Sequence, residues 1–352
     1  MIPLRLVPRE VRLPVAARDA HRRWSARTSL VVVAGAGVTR GRGEAAPLPG
    51  YSPDSLDEVG AWLGALARRG LPELPDELDA ALAAWGDLAP LRLPSARHAL
   101  ETAALDRLAR RRGVPAPALL GARAPITLPL AALLDGPPAE WDAAAEREVA
   151  RGARCVKLKV GRPGLAEAEL DGLRRLRTTY GPGLAVRLDA NRAWPPEEAR
   201  ARLAAWAELD PEWVEEPCLG SPVALGDAPV PIALDESLHA RPDTIAPERL
   251  AALPAAAWVL KPTAVGGLRR SLALASAARA AGAAVVLSHT HEGPIGLAAC
   301  AALALAVGDR RRAHGLAPWA ALVAEGPPPS WLAPSTLAAW REPGLGDVGA
   351  LA

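Results

Sequence analysis

From about Ile126 onward the chain repeats one pattern: a short apolar or alternating run, a polar or Gly/Pro break, then a longer segment with helical spacing. The short runs are PITLPLAALLD, RCVKLKVG, AVRLDANRAW, WVEEP, PIALDES, AWVLKPT, AVVLSHT and a weaker HGLAPWAAL. Strands that alternate with helices predict a parallel sheet. About eight such units over roughly 200 residues predict an α/β fold of the (β/α)8-type barrel class. The first ~120 residues read differently. There, TSLVVVAGAGVTRGRGEAAPLPG reads as strands joined by Gly-rich turns, and Ala/Leu-rich helical stretches follow near 54–69, 74–87 and 95–112, the last opening on PSAR. The Pro/Gly-punctuated GVPAPALLGARAPITLPL marks a boundary. The expected organisation is an α+β capping domain over 1–120, completed by a C-terminal tail of about 327–352, and a catalytic barrel over 121–326.

Composition fits a globular chain. The 352 residues carry 41 Lys plus Arg against 39 Asp plus Glu, a net charge of +2, with 50% apolar residues. That length supports a sizeable core, and near-neutral charge leaves no footprint for nucleic acid or an anionic membrane. The start, MIPLRLVPREVRLPV, lacks the charged region and following apolar stretch of a secretory signal. The longest apolar run, 296–308, falls short of the ~20 residues of a membrane span. Cys155, Cys218 and Cys300 form neither a CxxC pair nor an even-numbered framework. A cytoplasmic protein with a small-molecule partner is expected, and nothing in the chain demands more than a monomer.

One detail of composition matters more. Lysine is nearly absent: Lys157, Lys159 and Lys261 stand against 38 arginines, and Asn191 is the single asparagine. Codon bias empties Lys from solvated surfaces, where Arg replaces it at little cost. It cannot do so where a removable proton is needed, because a guanidinium stays charged.

The polar residues at the C-terminal ends of successive predicted strands are Lys157 and Lys159, then Asp189, then Glu215 and Glu216, then Asp235 and Glu236, then Lys261. Barrel enzymes assemble their sites at that rim, from several strands. Lys157 and Lys159 share one face because side chains alternate along a strand. Converging carboxylates from three adjacent strands are costly unless a hard divalent cation neutralises them. Oxygen ligands favour Mg2+ or Mn2+ over Zn2+, which prefers His and Cys. Flanking lysines suit the removal of a proton α to a carboxylate, with the developing charge held as an enediolate. A lone acid at a βα turn more often caps a helix, and Asn191 could do the same. Three acids in succession between two lysine strands favour the metal site. Alternation admits one of Glu215 and Glu216, and one of Asp235 and Glu236, leaving open which. His289 and His291 spell HxH, a metal pair in other barrels, yet only His314 follows them, so a histidine metal site is not expected. GAGVTR (35–40) has Arg40 in place of the third glycine of a dinucleotide loop and no helix after it. The 11 Trp read as core packing.

KLK, DAN, EEP, DES and KPT at successive strand ends resemble the enolase superfamily, in its muconate-lactonising branch with paired lysines. GEAAPLPGYSPD (43–54), KLKVG, RLDANRAW, EEPC, DESL and KPT are similar to the o-succinylbenzoate synthase family, over residues 43–297. The resemblance implies a dehydration of 2-succinyl-6-hydroxy-2,4-cyclohexadiene-1-carboxylate to 2-succinylbenzoate, in menaquinone biosynthesis. It implies Lys159 as base and then acid, Lys261 as a charged stabiliser on the opposite face, and Asp189, Glu215 and Asp235 as Mg2+ ligands, with Lys157 and Asn191 beside them. It also implies substrate contacts from Ser288 and the backbone of SHTHEGPIG (288–296), where a helix N-terminus suits a carboxylate. The loop 16–27 and PLPGYSPD would cap the barrel mouth, with Arg22 or Arg23 meeting the succinyl tail. His289 and His291 stand where the family usually has smaller or apolar residues. An N-succinylamino acid racemase or dipeptide epimerase would use the same two lysines. A non-catalytic enolase-like binding protein would lack a ligand or a lysine, and none is missing.

Overall fold

The structure, a computed structural model, describes residues 1–18, 22–123, 126–220, 225–239, 242, 246–318 and 328–348. Three antiparallel strands open the chain, β1 (Leu4–Arg18), β2 (Arg23–Ala34) and β3 (Gly41–Ala45), in the order β1-β2-β3. Against them pack α1 (Leu56–Arg69) and α3 (Pro94–Arg112), and α2 (Leu78–Gly86) packs on α3. Ser55 and Glu58 form a capping box that starts α1. β1 was not foreseen, because prolines at 3, 8 and 14 break its pattern. It is an edge strand paired with β2 alone, the position in a sheet that tolerates Pro8.

The first barrel run splits in two. β4 (Thr127–Pro129) pairs antiparallel with the late strand β12 (Thr336–Ala338), whereas β5 (Ala132–Leu134) begins the barrel sheet. There follow β6 (Cys155–Lys159), β7 (Ala185–Asp189), β8 (Trp213–Glu215), β9 (Ile232–Leu234), β10 (Ala257–Leu260) and β11 (Ala284–Leu287). These seven strands lie parallel in sequence order. The eighth position is held by a backbone bridge: His314 N donates to Pro129 O (2.8 Å), Ala131 N to His314 O (2.9 Å) and Gly315 N to Leu287 O (2.9 Å). Only the first two residues of HGLAPWAAL therefore join the ring, and 319–322 lie outside the described residues. The chain after 328 returns to 114–116, where Gly344 N donates to Val114 O (3.0 Å) and Ala116 N to Gly344 O (2.8 Å).

Alternation along each strand sorts apolar from chemical residues. Val156, Leu158, Val186, Leu188, Val214 and Ile232 face outward into a core shared with the helices Trp141–Ala150, Ala166–Tyr180 and Pro196–Trp206. Leu234, Trp258, Leu260, Val285 and Leu287 face a second core, made with Leu268–Ala280, Pro294–Val307 and the first three helices. Trp213, Ala233, Ala257, Val259 and Val286 fill the barrel itself. A fully buried Leu or Val contributes roughly 1.5–3 kcal/mol. A one-residue slip would forfeit that along a whole strand and drive its acids and lysines against the helices, so the register is strongly specified. No helix among the described residues is long and apolar enough to cross a membrane.

Candidate active site

The sheet register sets the level of each side chain. Lys159 is opposite Asp189, Asp189 is opposite Glu215, and Glu215 is opposite Ala233, which places Asp235 one inward step beyond β9. One carboxylate oxygen from each of Asp189, Glu215 and Asp235 lies within 4.8 Å of the others, and all three side chains are buried. A buried, oxygen-only donor set of three acids fits a hard divalent cation.

All three lysines reach this cluster. Lys157 Nζ contacts Asp189 Oδ2 (2.8 Å) and Glu215 Oε2. Lys159 Nζ donates to Asp189 Oδ2 (2.6 Å) and Asn191 Oδ1 (2.9 Å). Lys261 Nζ donates to Asp235 Oδ2 (2.6 Å) and to the Tyr51 hydroxyl (2.6 Å). Burial works against the charged form of Lys157 and Lys261, but the carboxylates outweigh it and hold both pKa values up. Against burial again, Lys157 and Lys159 hold Asp189 well below the usual carboxylate range, and Lys261 holds Asp235 down. Glu215 goes the other way, pushed up by burial and by the two aspartates despite Lys157.

The pairs left open by alternation separate through strain. Glu216 sits at φ 38°, and Asn191 and Arg192 at 46° and 60°, in the left-handed region that favours glycine. The turn after Glu215 swings Glu216 out of the barrel interior. Its carboxylate there accepts from Asp235 N (2.9 Å), Ser237 N (2.7 Å), Ser237 Oγ (3.0 Å) and Arg192 Nε (2.8 Å). Glu236 accepts from Asn191 Nδ2 (2.9 Å), and burial beside Asp235 and Glu216 pushes it up to about 8. Asn191 is thus more than a cap, bridging Lys159 to Glu236.

At the mouth, the sequence reading missed Tyr51. Its hydroxyl donates to Asp235 Oδ1 (2.8 Å) and accepts from Lys261, whose Nζ lies 4.5 Å from the ring centroid. The available signal was its place in PLPGYSPD as one of two tyrosines in the chain. The Arg22 guanidinium arm lies over the same turn, where a Cβ added at Gly50 would sit 2.9 Å from Arg22 Nε. Arg23 is exposed on β2 opposite Arg18, and residues 19–21 of the capping loop lie outside the described residues.

The SHTHEGPIG segment differs from expectation. The N-terminus of Pro294–Val307 is filled from within: Gly293 N and Gly296 N both donate to Glu44 (3.0 Å each), which also accepts from Ser29 Oγ (2.8 Å). Those two N–H groups do not face an open subsite, because a protein carboxylate occupies them. Arg27 clamps the same segment through His291 O (3.1 Å) and Thr290 O (3.3 Å). Ser288 Oγ donates to Gly315 O (3.2 Å) at the closing bridge. His289 and His291 pack ring to ring at 5.0 Å, and burial lowers both, His289 to about 4. Neither joins the metal-type cluster found among the described residues.

A parallel barrel with an acidic triad flanked by lysines defines a class, and the comparisons agree with it. Residues 140–347 match the family model for enolase C-terminal domain-like proteins, and the chain belongs to the enolase superfamily. Within it, the family is that of the o-succinylbenzoate synthases: the protein of that name from Salmonella paratyphi B is 32% identical over 306 residues, covering 82% of each chain. Among solved structures, muconate lactonizing enzyme from Pseudomonas fluorescens, complexed with muconolactone, superposes with a TM-score of 0.84 at 24% identity, over 98% of this chain and 95% of that one. A dipeptide epimerase from Methylococcus capsulatus, complexed with Mg and the dipeptide L-Arg-D-Lys, gives 0.81 at 25% identity, over 98% and 99%.

Proposed function

We infer that the protein is an o-succinylbenzoate synthase, a lyase that dehydrates 2-succinyl-6-hydroxy-2,4-cyclohexadiene-1-carboxylate to 2-succinylbenzoate. The observation that carries this reading is the placement of Lys159 and Lys261 at the ends of β6 and β10, four strands apart in an eight-position ring, on either side of the acidic triad. Asp189, Glu215 and Asp235 would hold Mg2+, which when bound supplies a positive centre that polarises the substrate carboxylate. Lys159, oriented by Asp189 and Asn191, takes the proton from the carbon α to the ring carboxylate. The resulting ammonium returns that proton to the departing 6-hydroxyl. The C–H and C–O bonds break, a ring double bond forms, and water leaves. Lys261, held charged by Asp235 and propped by Tyr51, offsets the negative charge from the opposite face.

Charge count supports a dicarboxylate. With Lys159 acting as the base, the three acids outnumber the two charged lysines by one, so a dication leaves the site positive and suited to a substrate with a ring carboxylate and a succinyl carboxylate. Arg22, over the Gly50 turn and beside Tyr51, is the better placed of the two arginines to meet the succinyl end. The reading places the protein in menaquinone biosynthesis and in the cytoplasm.

The test is to mix purified protein, Mg2+ and the cyclohexadiene substrate and follow 2-succinylbenzoate by its ultraviolet absorbance. Absence of turnover together with racemisation of an N-succinylamino acid overturns the lyase reading. That second activity is the rival because the same opposed lysines could protonate either face of an enediolate.

A further inference from the structure

The floor of the barrel beneath the acidic triad contains an unusual pair. Arg187 and Trp213 are opposite each other in the β7–β8 register, one inward step below Asp189 and Glu215. The Arg187 guanidinium carbon lies 3.9 Å from the Trp213 ring centroid, and both side chains are buried. Arg187 is itself clamped, donating through Nε to Glu212 Oε2 (2.5 Å) and through its terminal nitrogen to Ala313 O (2.5 Å), beside the bridge that closes the ring. Ala233, Ala257, Val259 and Val286 fill the space around the indole. With its plane fixed by the stacked cation and its edge by these small residues, the indole aims Nε1–H at Glu215 Oε1 (3.3 Å), while Glu215 Oε2 meets Lys157.

We propose that Trp213, seated on Arg187, is a positioning residue for the metal site: its indole N–H ties one oxygen of Glu215 and so orients the other toward the shared centre of the triad. This rests on the reading of Asp189, Glu215 and Asp235 as the metal ligands. A glutamate whose side-chain torsions are unconstrained can turn both oxygens away from an ion, and an outer hydrogen bond removes that freedom. Loss of such outer partners typically weakens metal affinity about 10–100-fold. Phenylalanine at 213 would keep most of the ring and its stacking but remove the donor. A serviceable control lies on the next strand but one, where the buried Trp258 indole nitrogen has no hydrogen-bond partner.

Mg2+ binding to the full-length protein, measured by calorimetry without substrate, tests this. Trp213→Phe is expected to raise the Mg2+ Kd roughly 10-fold, with the metal-free melting temperature little changed, while Trp258→Phe leaves the Kd where it was. Equal Mg2+ affinity in wild type and Trp213→Phe overturns the positioning role alone. No Mg2+ binding by wild type overturns the metal reading on which it rests. If Trp213→Phe does not fold, Arg187→Lys takes its place, keeping the charge on the floor but not the flat stack. A Kd raised several-fold then supports the proposal, and an unchanged Kd overturns it.

Discussion

Lys159 lies 2.6 Å from Asp189 and 2.9 Å from Asn191, a geometry that an arginine fork could approximate in charge but not in chemistry. Lys159→Arg should lower kcat by about 10³-fold or more, since general-base catalysis contributes roughly 10²–10⁴-fold and a guanidinium accepts no proton. Its circular dichroism and Mg2+ affinity should stay near wild type; turnover within tenfold of wild type would sink the base assignment. Tyr51→Phe keeps the ring under Lys261 but removes the hydroxyl shared by Lys261 and Asp235. A hydrogen bond to a charged group is worth roughly 1.5–3 kcal/mol, so kcat is expected to fall about tenfold with KM little moved, and an unchanged kcat speaks against a role for the phenol. The lysines were legible in the chain because compositional bias had stripped away their competitors. Tyr51 was not, and neither was the part that Glu216 plays. Tyr51 acts on residues 184 and 210 positions away, and Glu216 depends on a positive φ that breaks the alternation used to find the others.

Two barrel helices start from a glycine, which has no side chain to cap them. Leu268–Ala280 and Pro294–Val307 both have glycine at the N-cap with no side-chain hydrogen bond. Each takes a glutamate from the first 120 residues instead: Glu101 on α3 accepts from Arg269 N (2.9 Å), and Glu44 on β3 accepts from Gly293 N and Gly296 N. The glycines make room for them, since a Cβ on Gly267 would lie 2.5 Å from Glu101 Oε2 and one on Gly293 2.6 Å from Glu44 Oε1. Borrowed caps of this kind dock the N-terminal sheet and helices onto the barrel while satisfying N–H groups that every helix start leaves open. Glu44→Ala would orphan both N–H groups and the Ser29 hydroxyl. The expected cost is about 2 kcal/mol or more, seen as a melting temperature several degrees lower, and an unaltered transition would show that water replaces the carboxylate. The barrel strands were readable because their outward residues are apolar and their inward ends are charged. The borrowed caps were not, since their partners are 168 and 249 positions apart, and GEAAP alone gives Glu44 no destination.

At the scale of the whole molecule, the packing of α3 against the barrel places an acid where it is expensive to ionise. Glu101 is fully buried among Gly86, Gly267 and the start of Leu268–Ala280, and burial pushes it up to about 7 even with the Arg269 N–H bond and the Arg97 guanidinium at 3.2 Å. The sign follows from linkage. A carboxyl group whose folded pKa lies above its unfolded value near 4.5 binds its proton more tightly when folded, so its contribution is fully present below about pH 4.5 and is lost as pH rises to about 7. The loss across that window is on the order of 3 kcal/mol. Glu101→Gln keeps an oxygen for Arg269 N but does not titrate. Its stability relative to wild type should therefore climb between pH 5 and pH 8 and level off above, read as the difference in melting temperature or denaturant midpoint measured in metal-free buffer. Parallel pH profiles for the two proteins would mean that Glu101 is ionised throughout, with Arg97 fully compensating its burial, and that the contact between α3 and the barrel does not depend on its protonation.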